Sequence, residues 1–423
     1  MSKLYLNNEK FYNILIIVFP LLLLIGSAAV NIFLIFISIL TIIEICKGFK
    51  ILKPIKTIFW TFGIFYIFIL ISSFYAENFI EAFKASFSQL RFFFLTIFIY
   101  FFFKPSKYLK LLLNFWTLIL VFVSLDTLLQ FFTGIDIFGY KAEGYIQDKR
   151  TFLDPHIGRL GGPFGDELIV GAFLAKISTP LIIYYLGMYK FYNLKDKSLV
   201  FIILTLLLIT ILASGERTSF LIILICFTIF LLFQDIKKLF IFISTLIIFM
   251  FIIYSNNNYF HERTKETLNI IKNIPQSSYG RIYQSSIEVW KENKLFGTGL
   301  KNYHINCIKL NDPNPNNIHS YCSPNHSHNF FLQILVETGI VGIFLFYVFI
   351  FSLIKIFFKK ILSIKNINDK YKYFACGSLF LATYSVLPSI IPSGSFFTTW
   401  NGSFFWFHMG FVLNFFIKTH KIQ

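Results

Sequence analysis

Arginine is the residue type whose placement points most directly to chemistry in this chain. Of the 38 basic residues, six are arginines and the others are lysines. The arginines are Arg91, Arg150, Arg159, Arg217, Arg263 and Arg281. On the topology predicted below, all six lie outside the cell or in the outer part of the membrane, whereas every basic residue on the cytoplasmic side is a lysine. Because a guanidinium binds phosphate or carboxylate through two parallel N–H groups, this distribution indicates anion binding on the outer side.

Arg217 and Arg281 are the strongest candidates for binding that anion. Arg217 opens an apolar run, where a charge needs a partner or a wet cavity and where the free N–H groups of a helix start favour an anion. In the alternative interpretation, Arg217 pairs with Glu216 or extends to the interface, and Arg281 pairs with Glu288. Two arginines on one anion would suit a diphosphate better than a single carboxylate.

His328 is the candidate general base. We expect it to begin a membrane helix, whose N-terminus disfavours the imidazolium and leaves a neutral ring able to accept a proton. The alternative is a hydrogen-bonded helix cap. His326 and His319 lie nearby without carboxylates at metal-ligand spacing, so no metal and no cofactor are predicted. Since a nucleotide-binding glycine loop is also missing from the sequence, the substrate is expected to be already activated.

The elements that must position these side chains are membrane helices. The composition is 56% hydrophobic and the mean hydropathy is +0.68, which together exclude a soluble protein of this length. We therefore predict an all-α, polytopic protein of about twelve transmembrane helices with one large, partly helical periplasmic loop. The predicted spans are 12–27, 29–45, 57–75, 82–103, 109–132, 165–188, 198–213, 217–234, 238–254, 328–356, 371–389 and 402–418. The first two form either a tight hairpin, broken near Gly26, or one long tilted helix.

The lysines set the predicted orientation. They concentrate in alternate connections, which are placed in the cytoplasm, and the even number of spans then places both termini there. The net charge of +17 is consequently a topology signal. It gives no support to nucleic-acid binding, because the lysines are scattered over separate short loops.

Three regions follow from these spans. Residues 1–254 are predicted to form an N-terminal bundle of about nine spans with an external segment at 133–164. Residues 255–327 form the periplasmic loop, and residues 328–423 return to the membrane. Within the loop, helices are expected at 259–273 and 278–293, and a disulfide between its two cysteines, Cys307 and Cys322, is left open.

The helix predicted at 278–293 is amphipathic. Tyr283, Ile287 and Trp290 recur at helical spacing on one face, which we expect to lie along the membrane surface. A second face, expected to turn toward a cleft, carries Arg281, Ser285, Glu288 and Glu292.

Several segments in order resemble the O-antigen ligase and O-antigen polymerase superfamily. They are GGPFGD at 161–166, SGERTS at 214–219, Gly280-Arg281 followed by Trp290, LFGTG at 295–299, and HNFFLQILVETGIVG at 328–342. The resemblance implies a glycosyltransferase in the bacterial inner membrane, with its active site facing the periplasm. Such an enzyme moves a glycan from an undecaprenyl-diphosphate carrier to a hydroxyl of an acceptor, without a nucleotide or a metal.

The resemblance also assigns roles to residues. Arg217 and Arg281 would hold the diphosphate, and His328 would deprotonate or position the acceptor hydroxyl. His326 and Asn329 also belong to the expected substrate-binding set. Arg159 is added to it by its charge and location alone, and the favoured alternative for Arg159 is a solvated loop.

Two questions of function stay open at this point. The acceptor is lipid A-core for a ligase and a second carrier-linked repeat unit for a polymerase; the HNFFL helix and the single large loop favour the ligase. The alternative from another class is a transporter or flippase. A transporter predicts ionisable residues deep in the spans, where the candidates are few: Arg91, Asp126 and Lys176.

Overall fold

The computed structural model describes residues 2–48, 53–143, 158–234, 258–310, 326–363, 369–384 and 392–415, together with Cys322 and scattered positions between 236 and 255. Within this part of the chain the regular structure is helical, and the β-type pairing is limited to one isolated bridge between Ile135 and Lys141. The predicted all-α class is confirmed.

The main helices are α1 (Ser2–Ile25), α2 (Ser27–Cys46), α3 (Lys53–Ser72), α4 (Phe79–Ser88), α5 (Leu90–Phe102), α6 (Pro105–Thr133), α7 (Val170–Met188), α8 (Leu194–Ala213), α9 (Arg217–Gln234), α10 (Asn258–Lys272), α11 (Ser278–Glu292), α12 (Tyr303–Leu310), α13 (Phe330–Ser363), α14 (Asp369–Tyr384) and α15 (Thr399–Leu413). Helices α1 and α2 are separated at Gly26, where φ is +124°, so the predicted break is present.

Eight stretches of the described residues are long and apolar enough to cross a bilayer. They correspond to α1, α2, α3, the α4–α5 pair, α6, α7, α8 and α13. Helix α9 is apolar but shorter, over Arg217–Leu232. The predicted span 238–254 lies largely outside the described residues, so the total of about twelve stays a prediction.

The chain divides into two compact units, each assembled from segments that are distant in sequence. The first unit comprises Met1–Gly26, Lys104–Lys272 and Asn368–Leu381. In it, α7 packs against α6, α8 and α9. The buried Trp116 of α6 donates its indole N–H to the carbonyl of Ile17 at 3.0 Å, which joins α6 to α1.

The second unit comprises Ser27–Phe103, Asn273–Ile367 and Ala382–Gln423. Helix α5 packs against α2 and α15, and α3 packs against α13. Aromatic rings fill the space between these helices; Phe62 stacks on Phe93 with centroids 4.1 Å apart, and Phe349 stacks on Trp406 at 5.6 Å. The high phenylalanine content thus supplies helix packing in this unit.

Helix α13 is broken within its apolar stretch. Gly339 has φ of +66°, and the segment 294–299 lies against this break. Ile340 N–H donates to the Lys294 carbonyl at 2.9 Å, and Thr298 N–H donates to the Val336 carbonyl at 2.9 Å. Backbone groups left unpaired by the break therefore find partners in the protein, as buried backbone polar groups require.

A buried carboxylate supports the same junction. Glu337 is 1% exposed; its Oε1 accepts the Lys301 N–H at 3.1 Å and its Oε2 accepts the side-chain amide of Gln333 at 3.2 Å. Gln333 in turn donates to Ser395 Oγ at 2.6 Å and accepts the Phe396 N–H at 3.1 Å. The first turns of α13 are thus tied to the loop before α12 and to the segment before α15.

Candidate functional site

The two histidines of the HSHN segment lie side by side in the second unit. The ring centroids of His326 and His328 are 4.2 Å apart, and Tyr279 of α11 approaches the His328 ring edge-on at 5.9 Å. Both histidines precede the apolar stretch of α13, so they lie at the end of a membrane helix.

Ser393 holds the histidine segment in place. Its N–H donates to the His328 carbonyl at 2.8 Å, and its Oγ accepts the Phe330 N–H at 2.8 Å. Its backbone carbonyl accepts a hydrogen bond from the imidazole of His326. These bonds fix a left-handed backbone at His328, with φ of +48°, a conformation that histidine adopts more readily than most residues. Sequence analysis missed Ser393, because nothing local connects residue 393 with residue 328.

Asn329, rather than His328, caps α13. The helix begins at Phe330, and Asn329 Oδ1 accepts the Leu332 N–H at 3.1 Å. The Asn329 side chain is also hydrogen-bonded to Tyr283 of α11. The helix cap, which was the alternative role considered for His328, is therefore Asn329. A direct contact between Asn329 and substrate stays a prediction.

Both histidines are held in the neutral form. Burial, followed by the neighbouring His328 and opposed by the hydrogen bond to Ser393, lowers the pKa of His326 to about 4. Burial also lowers the pKa of His328 below its ordinary value. Desolvation thus supports the neutral state at pH 7 that was predicted from the helix N-terminus. A neutral His328 ring can accept a proton.

The depressed pKa values predict how the protein responds to acid. A neutral His326 contributes stability that is complete above its unfolded pKa of about 6.5 and is lost as pH falls toward about 4. We expect the temperature of thermal unfolding to fall over this window, and to fall less steeply in His326→Asn. The rate of glycan transfer should also fall at low pH with a midpoint below pH 6.5, because burial lowers the pKa of His328, the candidate base. Equal slopes for the two proteins would contradict the burial of a neutral His326.

Helix α11 presents two different flanks. Its ends agree with the predicted helix within one residue, and Ser277 caps it by accepting the Gly280 N–H at 3.1 Å. Arg281 is two residues from both Tyr279 and Tyr283, so its side chain leaves the helix about 200° away from the flank that meets His328. Arg281 must therefore reach any shared ligand from the other side of α11 or around its N-terminal end.

The buried face of α11 includes one residue that was predicted to face a cleft. The buried residues are Gly280, Ile282, Ser285, Ser286 and Val289. Ser285, expected on a polar face toward a cleft, is instead fully buried, because the small serines pack closely in the interior. Ile287 is exposed, so the expectation that its face lies along the membrane surface stays a prediction.

A disulfide joins the loop to the histidine segment. Cys307 of α12 and Cys322 are bonded, with a Cα–Cα distance of 5.7 Å. Cys307 is fully buried against Val289 and Val336, which belong to α11 and α13. The pairing that the sequence left open is thus present, and it anchors the chain just before His326.

Arg217 lies in the first unit and binds a carboxylate there. Its Nη2 donates to Glu266 of α10 at 2.6 Å, and both side chains are substantially exposed. The alternative pairing with Glu216 is wrong, since Glu216 has other partners. An exposed ion pair of this kind is weak, so a phosphate can replace Glu266 or use the other edge of the guanidinium.

Glu216 organises the backbone around Arg217. Its carboxylate accepts the N–H groups of Gly171 and Ala172 at 2.8 and 3.0 Å, at the N-terminal turn of α7, and the Ser219 hydroxyl at 2.9 Å. Arg159 lies 3.8 Å away and also donates to the Leu168 carbonyl. Burial raises the pKa of Glu216, and Arg159 and the hydrogen bonds oppose that rise.

The expected residues are thus distributed between the units. His326, His328, Asn329 and Arg281 belong to the second unit, and Arg159 and Arg217 to the first. Arg159 has intramolecular partners, so its expected substrate contact stays a prediction. The convergence of Arg217 and Arg281 on one anion also stays a prediction. Arg150, His319 and the side chain of Arg263 lie outside what is described.

The comparisons with known proteins bear on the same region. No curated protein matches the chain. A protein-family model described as O-Antigen ligase matches residues 202–347, a range that contains Arg217, Arg281, His326, His328 and Asn329. Over these residues the chain is thus similar to the O-antigen ligase family, whose members are glycan-transferring membrane enzymes.

Proposed function

We propose that this protein transfers a glycan from an undecaprenyl-diphosphate carrier to an acceptor hydroxyl at the periplasmic face of the bacterial inner membrane. The observation that carries the proposal is the family match over residues 202–347, which contains the candidate base and both candidate anion-binding arginines. It favours a glycan-transferring enzyme over the transporter alternative.

The chemistry needs a base and a means of stabilising the leaving group. In our proposal, neutral His328 takes the proton of the acceptor hydroxyl as its oxygen attacks the anomeric carbon. The bond between that carbon and the carrier diphosphate breaks, and the electron pair leaves with the diphosphate. Arg217 and Arg281 would neutralise the charge that develops there. Binding both substrates in a fixed orientation supplies the remaining part of the rate enhancement.

The orientation belongs to the same proposal. Both termini are placed in the cytoplasm, residues 255–327 in the periplasm, and residues 1–254 and 328–423 mainly in the membrane. Support comes from the lysine distribution and from the disulfide in the proposed periplasmic region, since disulfides persist in oxidising compartments.

We favour the ligase reaction, in which the acceptor is lipid A-core. The alternative is polymerisation, in which the acceptor is a second carrier-linked repeat unit. Both reactions need the same donor site and the same base, so the residues described above serve either one.

The deciding experiment is the size profile of surface lipopolysaccharide in a strain that lacks this protein, with and without complementation. Bare core together with long glycan on its carrier indicates a ligase, whereas core bearing a single repeat unit indicates a polymerase. Complementation with wild type should restore the full profile, and complementation with His328→Ala should not. An unchanged profile in the deletion strain would refute the lipopolysaccharide assignment.

A further inference from the structure

Arg91 is the one arginine with a described environment that neither the candidate site nor the family motifs use. It lies in the first turn of α5, inside the apolar stretch Phe79–Phe102. Its Nη2 donates to Thr399 Oγ1 at 3.2 Å, and its Cζ lies 4.9 Å from the Phe92 ring centroid. Its buried Nε has no hydrogen-bond acceptor among the described residues, and none of their carboxylates forms an ion pair with it. A guanidinium at this depth is costly unless an anion compensates it.

The hydrogen bonds around Arg91 run in one direction. Thr399 Oγ1 accepts from Arg91 and therefore donates its own proton to Asn31 Oδ1, at 2.8 Å. Two sets of hydrogen-bond donors remain at the ends of this hydrogen-bonded row. They are the other guanidinium N–H groups of Arg91 and the side-chain amide N–H groups of Asn31. The cluster Arg91–Thr399–Asn31 thus presents donors, which suits a ligand with several acceptor oxygens and a negative charge.

Three packed helices of the second unit contribute these side chains. Helices α2, α5 and α15 contact one another, and each carries its residue near its N-terminal end. Asn31 is in the second turn of α2, and Thr399 is the first residue of α15. On the orientation given by the lysines, all three of these helix ends are turned toward the outer side of the membrane, which is the side of the outer-leaflet phosphates.

The cluster is also connected to the histidine pair. The segment 393–399 begins at Ser393, which holds His328, and ends at Thr399, which accepts from Arg91. Between them, the Phe397 carbonyl accepts the side-chain amide of Gln89 at 3.2 Å, and Gln89 is two residues before Arg91. One short segment thus positions both the candidate base and this donor cluster.

We propose that Arg91, Thr399 and Asn31 bind the phosphate of a lipid in the outer leaflet. On the proposed function, that phosphate belongs to the diphosphate of the carrier-linked donor, and this refinement rests on the proposed function. Phosphate binding as such does not, since a phospholipid headgroup offers the same oxygens.

The test uses the full-length purified protein and four variants. Arg91→Gln removes the charge, Arg91→Lys keeps the charge without the two-pronged geometry, and Thr399→Val removes the central hydroxyl. Lys84→Gln is the matched control, because Lys84 is an exposed cation in the same apolar stretch. Native mass spectrometry measures retention of added undecaprenyl diphosphate and, separately, of phosphatidylglycerol. Steady-state kinetics measures the donor KM and kcat.

If the phosphate is that of the donor, Arg91→Gln raises the donor KM about 10- to 100-fold and loses undecaprenyl diphosphate, while Lys84→Gln matches wild type. Arg91→Lys and Thr399→Val should give intermediate losses. Selective loss of phosphatidylglycerol with an unchanged donor KM keeps the phosphate site but overturns its assignment to the donor. Wild-type retention of both lipids by Arg91→Gln overturns the site itself. Should wild type transfer no glycan at all, the proposed function fails, and lipid retention still decides the phosphate site.

Discussion

Asparagine in place of His328 is expected to lower the rate of glycan transfer about 10²- to 10⁴-fold, the usual contribution of a positioned general base. Asparagine cannot take the acceptor proton at neutral pH. It does tolerate the left-handed backbone found at residue 328, where φ is +48°, so the fold should survive. The measurement is the transfer rate with purified donor and acceptor at saturating concentrations of both.

The matched control is His304→Asn, a histidine replacement in α12 of the same unit and outside the predicted site residues. It should keep the wild-type rate. A transfer rate in His328→Asn within a factor of two or three of wild type would remove His328 from the mechanism. A fall in His328→Asn that is confined to the acceptor KM would mean that the ring binds the acceptor without taking its proton.

Alanine in place of Gly297 should destabilise the protein by about 2–6 kcal/mol, from roughly 1–3 kcal/mol for the backbone strain and 1–3 kcal/mol for overpacking. Gly297 has φ of +72°, and an added Cβ would lie 2.4 Å from the Thr338 nitrogen and 2.5 Å from the Glu337 carbonyl carbon. These are backbone atoms of α13 and cannot move aside as a flexible side chain would. The segment 294–299 should then separate from the break at Gly339.

Thermal unfolding of the detergent-solubilised protein measures this effect, and Gly63→Ala in α3 is its control. A Cβ added at Gly63 would have no heavy atom within 4 Å, and the backbone is not left-handed, so its replacement should leave the unfolding temperature unchanged or raise it slightly. We expect Gly297→Ala to lose activity along with stability, because the same segment supports the first turns of α13 beneath the histidines. An unfolding temperature equal to that of wild type would show that the segment 294–299 does not pack against α13 as described.

Local signals in the sequence account for most of the helices. The apolar stretches of the sequence predicted the membrane helices that are described. The ends of α10 and α11 agree with the predicted helices at 259–273 and 278–293 within one residue. Both ends are set locally, by Pro275 in the turn between the helices and by the Ser277 cap. The break in α13 could not be predicted in this way, because Gly339 lies in an apolar run and its compensating hydrogen bonds come from residues 294–299.

The candidate site was predictable where its members are neighbours in the chain. His326, His328 and Asn329 fall within four residues, and their proximity follows from the sequence. The role of Ser393 depends on a contact across sixty-five residues, from 328 to 393, and no periodicity encodes such a contact. Glu216, the partner that the alternative interpretation predicted for Arg217, was wrong for the same reason. Glu216 is adjacent in sequence, whereas the actual partner, Glu266, lies on another helix. Long-range pairing, rather than residue type, limited the prediction.

The break at Gly339 has a consequence for biogenesis. A membrane helix normally enters the bilayer with its backbone hydrogen bonds already formed, but α13 carries unpaired backbone groups at residues 336–341 until the segment 294–299 binds them. That segment is synthesised before α13. On the proposed orientation it has already crossed the membrane when α13 emerges from the ribosome, and it can act as an intramolecular template for insertion. On that orientation, the order of synthesis allows α13 to be broken at Gly339 without stalling its entry into the membrane.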